Sequence, residues 1–442
     1  MNYPNIDRLL EQSNSIPVQR QLQQILKKRG ISLSDVTFRD SAVTSVRSFG
    51  AIGDGMKDDT KALQAAISAS EGKILCFPQG RYKISDTLYP KSDQVYLALG
   101  KVSIQRSNTK FMFWLLPDKN RIAKNSYFGI KNLKFIDIEF DNNGRQVRGG
   151  ETFTMGYADN IQFYNCTFLN NRGTHAVEIS GSRNIFFSRC SFLGCIENKV
   201  EGREIIQVEY TTTKNAAASA ANPTNNLADF QNLIIHSENI RLENCHFGPS
   251  SSFPAGTRAI GNHYSNRPIF SPNKLIIKNC TFDGLALGAI RSFIMKDVVI
   301  TGSKFTNIPS ALSLNRGTNK VSNTNILFKN NYIEAVTSDD IYPIYSENDK
   351  DYGNVHSNIQ IIDNVFTGSY IDKYISLANC KDLRIENNKF IGNSNTLIDV
   401  SKSSNIVIQR NTANGTVGYK RDAIQVRDSS NSNVRNNRLL VR

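Results

Sequence analysis

One short phrase recurs down the chain and constrains its fold more than any other feature. It reads Asn, apolar, any, apolar, two residues, then Asn or Cys, any, Phe. The clearest copies begin at Asn160, Asn184, Asn239 and Lys274 and close on Phe168, Phe192, Phe247 and Phe282. Weaker copies begin at Asn132, Asp297, Asn325, Asn358, Asp382, Asn405 and Asn433. Most starts lie 23 to 35 residues apart, with one interval of 55 between Asn184 and Asn239. A repeat of roughly 20–50 residues is the signature of a solenoid. Within the phrase the apolar residues alternate, which is the period of a strand and not of a helix. The chain is therefore expected to be an all-β solenoid, a single-stranded parallel β-helix with one coil per repeat.

The repeats run from about Asn132 to the end of the 442 residues, which favours one long solenoid with an N-terminal element over two separate domains. Residues 6–28 carry Ile6, Leu9 and Leu10, then Pro17 as a break, then Leu22, Ile25 and Leu26. Lys27, Lys28, Arg29 and Gly30 supply the basic end and the Gly stop of a helix. Residues 1–45 are thus expected to be an N-terminal helical cap over the open first coil. The small, polar stretch Thr211 to Asn226 accounts for most of the long interval. It predicts a long loop at 211–231 that overhangs one face, as insertions on solenoids do.

The 53 basic and 39 acidic residues leave a net charge of +14, which suits a polyanionic partner. The basic residues are scattered and form no run, so nucleic acid is not expected. Cys166, Cys190, Cys245 and Cys280 share one slot of the phrase, next to the Phe, and predict a ladder of buried thiols. With seven cysteines and no CxxC pair, neither a disulfide framework nor a zinc site is expected. No apolar run approaches the length of a membrane span, so no membrane insertion is expected. The start, Met1-Asn-Tyr-Pro-Asn-Ile-Asp-Arg, has no basic n-region followed by an apolar stretch. The chain is expected to be cytoplasmic as synthesised, or to reach the exterior or a virion without a secretory signal, for instance by phage lysis.

The stretch Val46 to Ile67 joins a Gly-rich turn to Asp58-Asp59-Thr60, which can cap a helix carrying Leu63 and Ile67. Gly72 to Ile84 then reads as strand, turn, strand. This ensemble resembles the opening module of the pectate-lyase-like superfamily of right-handed parallel β-helices. The resemblance implies a right-handed β-helix over 46–442, with its opening module at 46–90. It also implies kinship with polysaccharide lyases, glycoside hydrolases, epimerases and phage tailspike depolymerases. Fold alone does not supply the reaction. Asp54, Asp58 and Asp59 are read as turn and cap residues.

A second strand lies about eight residues before each phrase, as in Ala176-Val-Glu-Ile179, Ile205-Ile-Gln-Val208, Ala259-Ile-Gly-Asn262 and Ala289-Ile-Arg-Ser292. With the apolar second residue pointing in, outward columns can be written across the coils. The first runs Glu151, His175, Glu204, Arg258, Gly288. The second runs Thr154, Glu178, Gln207, Gly261, Arg291, and the third Gly156, Ser180, Glu209, His263, Phe293. Neighbouring coils lie about 4.8 Å apart, so the ionisable residues gather on a patch about 10–15 Å across. The predicted catalytic residues are Glu178, Glu204, Glu209 and His263. The predicted substrate-binding residues are His175, Gln207, Tyr210, Arg258, Asn262, Tyr264 and Arg291. His236, His246 and His356 are read as structural or exposed, and the Asn residues of the phrase as turn ladders whose amides bond backbone between coils.

Paired carboxylates suit glycoside hydrolysis, with roughly 5–5.5 Å between them for retention and roughly 6.5–9.5 Å for inversion. Arg258 and Arg291 with His263 or Glu209 suit elimination or C5 epimerisation of a uronate instead. The expected function is cleavage of a long acidic polysaccharide in a groove on the β-helix, with hydrolysis favoured over elimination. The alternative is a non-catalytic glycan-binding or phage receptor-binding protein, a trimer if phage-derived. No cofactor is required by the reading; many relatives of the superfamily use calcium, and the absence of an Asp cluster from the patch weakens a calcium-dependent reading without removing it.

Overall fold

The structure is a computed structural model that describes residues 43–116, 126–196, 203–211, 234–262, 272–315, 322–338, 340–346, 356–368, 371–414 and 422–440, with Gln24 and Lys27. Nearly all of the expected helical cap, the expected loop beyond Thr211, His263 and Tyr264 lie outside the described residues. One boundary moves. Val43–Ser45 is a strand paired with Ile74–Cys76, so solenoid pairing begins inside the segment assigned to the cap.

Each full coil carries three strands. Asp159–Tyr164, Thr167–Arg172 and Val177–Ser180 make one coil; Arg183–Ser188, Ser191–Ile196 and Glu204–Glu209 make the next. The coils pair in parallel, residue for residue, with Ile161 on Ile185, Phe168 on Phe192 and Glu178 on Gln207. Among the described residues the first two strands of each coil join a 25-stranded sheet and the third an 11-stranded one. No helix of the described residues is long and apolar enough to cross a membrane.

The phrase works because of where its Asn residues fall. Asn160, Asn184 and Asn239 have φ of 61°, 57° and 55°, and Asn165, Asn244 and Asn279 turn the chain again at 53° to 54°. Asn tolerates this left-handed region because its short amide bonds locally. The leading Asn residues then bond side chain to side chain down the outer surface: Asn160 Nδ2 donates to Asn132 Oδ1 at 2.8 Å, and Asn239 Nδ2 to Asn184 Oδ1 at 2.7 Å. That corrects the expectation of amide-to-backbone bonding at this position. In the last coil the donor is Asn431, which bonds Asn405 Oδ1 at 2.8 Å, so that repeat begins two residues before Asn433.

Amide-to-backbone bonding does occur, in the slot next to the Phe. Over the first coils this slot holds cysteine. Cys166, Cys190 and Cys245 donate Sγ–H to the carbonyls of Phe135, Phe163 and Phe187 in the preceding coil, each at 3.4 Å. Over later coils it holds Asn. Asn388 Nδ2 donates to Ile361 O at 2.9 Å and its backbone N–H to Asn411 Oδ1 at 2.9 Å, a pattern repeated at Asn331, Asn364 and Asn411. All seven cysteines are free and buried. Beside the slot the rings stack: Phe168 on Phe192 at 4.5 Å, Phe192 on Phe247 at 4.6 Å and Phe247 on Phe282 at 5.0 Å. Thiol or amide satisfies the backbone of each turn while the rings bury apolar area beside it.

The opening module behaves as read. Asp59 accepts from Ile52 N at 2.7 Å and Gly53 N at 3.0 Å, and Asp54 accepts from Met56 N at 2.8 Å. Asp58 accepts from Thr60 N at 3.0 Å at the start of helix α1 (Thr60–Ser68), which buries Leu63 and Ile67. These carboxylates hold turns. His356 opens a strand and is buried, and burial lowers its pKa to about 4.

Candidate functional site

The smaller sheet carries the outward columns. Its first six strands are β1 (Phe113–Leu115), β2 (Phe153–Gly156), β3 (Val177–Ser180), β4 (Glu204–Glu209), β5 (Arg258–Gly261) and β6 (Gly288–Phe293). Phe113, Phe153, Val177, Ile179, Ile206, Ile260 and Ile290 point into the core. The residues between them therefore face out. Register makes Trp114, Thr154, Glu178, Gln207, Gly261 and Arg291 one continuous column. Ser180 lies beside Glu209, and Glu204 beside Arg258. Among the described residues, the order within each column follows the sequence reading.

Their environment is not that of an open surface. Glu178 is 8% exposed, Glu209 4% and Glu204 1%. Glu178 accepts from Ser180 Oγ at 3.0 Å, and Glu209 accepts from Gln207 Nε2 at 3.0 Å. Glu178 and Glu209 are diagonal neighbours, one strand and two residues apart, which sets their backbones about 8 Å from one another. Glu204 crosses over Gly261 and pairs with Arg291. A Cβ on Gly261 would lie 2.8 Å from Glu204 Cγ, so this crossing needs glycine. Arg291 also lies over the Phe293 ring at 5.2 Å. His175 Nδ1 is 2.5 Å from the Glu204 carbonyl, which makes that nitrogen the donor. Arg258 is buried, and burial lowers its pKa; Nε and Nη1 have no hydrogen-bond partner, while the side chain bonds the Tyr345 hydroxyl.

One acidic residue of the first column was not selected from the sequence. Glu151 is buried just before β2, and its pKa is raised to about 7. Burial is the main cause and the charge of Glu178 the second; Arg106 and Arg203 pull weakly the other way. Glu151 Oε2 has no hydrogen-bond partner. The backbone beside it is fixed by Arg106, whose Nη1 donates to Gly150 O at 2.7 Å and Lys110 O at 2.8 Å. The available signal was its place at the head of the column.

Three expected roles change. Glu204 is locked to Arg291, so it positions a cation and is poorly placed to carry a proton. Asn262 spends both ends of its amide on Phe293, donating to the carbonyl at 2.6 Å and accepting from the N–H at 2.8 Å, which is a turn clamp and not a substrate contact. Tyr210 packs against the small cluster of Tyr157, Ile234 and Ile235. His263 and Tyr264 are outside the described residues. Among the described residues there is no group of three or more His, Cys, Asp or Glu that could hold a metal ion.

Two families match this architecture. The family described as rhamnogalacturonase A/epimerase, pectate lyase-like, matches residues 43–248, and the right handed beta helix region matches 271–440. The chain is a right-handed β-helix protein whose residues 43–248 match the pectate lyase-like family. It is 26% identical over 297 residues to the plasmin and fibronectin-binding protein A of Streptococcus pneumoniae, covering 61% of this chain and 40% of that protein. It spans less than half the length of the curated relatives it matches. The crystal structure of PfbA, a surface adhesin of S. pneumoniae, superposes with a TM-score of 0.66 at 21% identity, over 88% of this chain and 92% of that one. The family 28 exopolygalacturonase of Yersinia enterocolitica superposes with a TM-score of 0.62 at 13% identity, over 90% and 79%. At these identities the superpositions speak for the fold. Relatives of this β-helix thus include polysaccharide-degrading enzymes and an adhesin.

Proposed function

We propose that the chain cleaves a long acidic polysaccharide by hydrolysis, on the outward face of β2 to β6. The observation that carries this reading is Glu151, a buried carboxyl whose pKa is raised to about 7 by burial and by the neighbouring Glu178. Neighbouring carboxyls pushed apart in pKa divide into an acid and a base. Glu151 would give its proton to the leaving glycosidic oxygen. Glu178 would act as the carboxylate partner, and Glu209, held by Gln207, would be the next candidate along the groove. Arg258, with two unpartnered guanidinium nitrogens, would face an anionic substituent of the sugar.

Elimination from a uronate needs a free cation to neutralise the sugar carboxylate. Arg291 is already paired with Glu204, which leaves Arg258 as the cation for either reaction, so the preference for hydrolysis rests on Glu151. A second reading, glycan binding without cleavage, draws support from the likeness to the pneumococcal adhesin. The test is substitution. Glu151→Gln and Glu178→Gln should each lower kcat at least about 100-fold on the polysaccharide the wild type cuts, with the far-ultraviolet circular dichroism unchanged. Wild-type rates in both variants would contradict the assignment.

A further inference from the structure

The column that holds Glu178 does not begin with a polar residue. It begins with Trp114, the single tryptophan of the chain. Its inward neighbours Phe113 and Leu115 are in the core, so the indole faces the same side as Glu178. Two rings flank it. Tyr89 lies at 6.2 Å between centroids and 32° between planes, and Phe111 meets it edge-on at 5.2 Å and 80°. Tyr89 is 37% exposed, one of few large apolar side chains among the described residues to stand in solvent.

The trio is built rigidly. Leu88 and Phe113 form a parallel bridge, with Trp114 N–H donating to Leu88 O at 3.0 Å and Leu88 N–H to Met112 O at 2.9 Å. Gln64 of α1 holds the backbone of Tyr89 from both sides, accepting from its N–H at 2.8 Å and donating to its carbonyl at 3.3 Å. Polar capacity is left unused beside the rings. Trp114 Nε1 and Thr154 Oγ1, next to it in the column, are buried without a hydrogen-bond partner, and so is Glu151 Oε2. Trp114 and Glu178 are two strand spacings apart, about 10 Å.

Rigid rings on an outward face, one of them standing in solvent, are the chemistry of a sugar site: the ring faces take the C–H face of a pyranose. We propose that Trp114, Tyr89 and Phe111 form a stacking subsite for a pyranose ring of a uronate-containing polysaccharide, at the N-terminal head of the groove. This rests on the functional reading above and extends it. The chain of sugars would run along the solenoid axis, with one end on the indole and the scissile bond over Glu151 and Glu178.

Because Trp114 is the sole tryptophan, its emission reports on this subsite alone. The experiment is a fluorescence titration of the full chain with three uronate polymers, polygalacturonate, alginate and hyaluronate, alongside affinity electrophoresis in the same polymers. The expected result is a saturable change in emission that tracks gel retardation for at least one polymer, with affinity weakened about tenfold by Tyr89→Ala, a surface change that spares the core. Trp114→Leu should weaken it at least as much. Retardation with silent emission and an unaffected Tyr89→Ala variant would overturn the subsite and leave the functional reading standing. Binding to none of the three polymers would overturn both.

Discussion

Replacing Glu151 by Gln should make the protein more stable at alkaline pH and leave it little changed in acid. The folded-state pKa of Glu151 is raised from 4.5 to about 7, mainly by burial and then by Glu178. The folded chain therefore binds this proton more tightly than the unfolded chain. The resulting stability is fully present below the unfolded value of 4.5 and is lost as pH rises through about 7. At 1.36 kcal/mol for each unit of pKa, the loss is about 3 kcal/mol. Gln keeps the shape of the side chain and cannot ionise, so the variant should not show this loss. The assay is urea denaturation of wild type and Glu151→Gln at a series of pH values from about 4 to about 8. The difference between the two free energies should shift by about 3 kcal/mol in favour of the variant across that range. Any effect of shape alone is the same at both ends and drops out. Parallel pH profiles for the two proteins would refute the reasoning, because they would mean that Glu151 titrates alike in the folded and unfolded chains. The same proton links stability to turnover: activity should fall as pH rises through about 7, where the proposed acid loses its proton.

Three further outcomes are expected. Arg291→Met should cost about 3–5 kcal/mol in urea denaturation, because it strands the buried Glu204, Glu204→Gln should cost less, because it leaves a partly exposed Arg291, and the double variant should cost clearly less than the two together. Gly261→Ala would place its Cβ 2.8 Å from Glu204 Cγ and 2.8 Å from the Arg291 carbonyl; it should lower kcat and raise KM by displacing the ion pair, and unchanged kinetics would show that Glu204 has another path. Asn388→Ala removes one rung of the inner amide ladder and should cost about 1–3 kcal/mol, with amide hydrogen exchange accelerated first at Asn364, whose N–H loses its acceptor.

Much of this molecule was legible in one dimension, for a simple reason. A β-helix pairs each coil with the next, so a residue's neighbours lie one repeat away. Fixing Ile206, Ile260 and Ile290 as inward was enough to align Glu178, Gln207, Gly261 and Arg291. Alternation says which way a side chain faces, not how deeply it is covered. That is why Glu204 read as a reactive carboxylate and is instead almost fully buried against Arg291. Glu151 was missed because its character comes from burial and from Glu178 on the next coil, with its neighbour Gly150 held by Arg106, which is 44 residues away and no part of the repeat. Trp114 was missed because its strand precedes the first strong copy of the phrase. The last coil departs from the phrase because Ser432 stands where an apolar residue is expected, so its repeat reads as beginning at Asn433.

The central claim is hydrolysis of an acidic polysaccharide by carboxyl groups on the outward face of the smaller sheet. The most direct measurement is incubation of the protein with a set of acidic polysaccharides, followed for new reducing ends and for the ultraviolet absorbance of an unsaturated uronate. The account predicts reducing ends without the absorbance, and their loss in Glu178→Gln. Absorbance rising with the reducing ends would mean β-elimination and would contradict it, as would binding to a polysaccharide that is never cut.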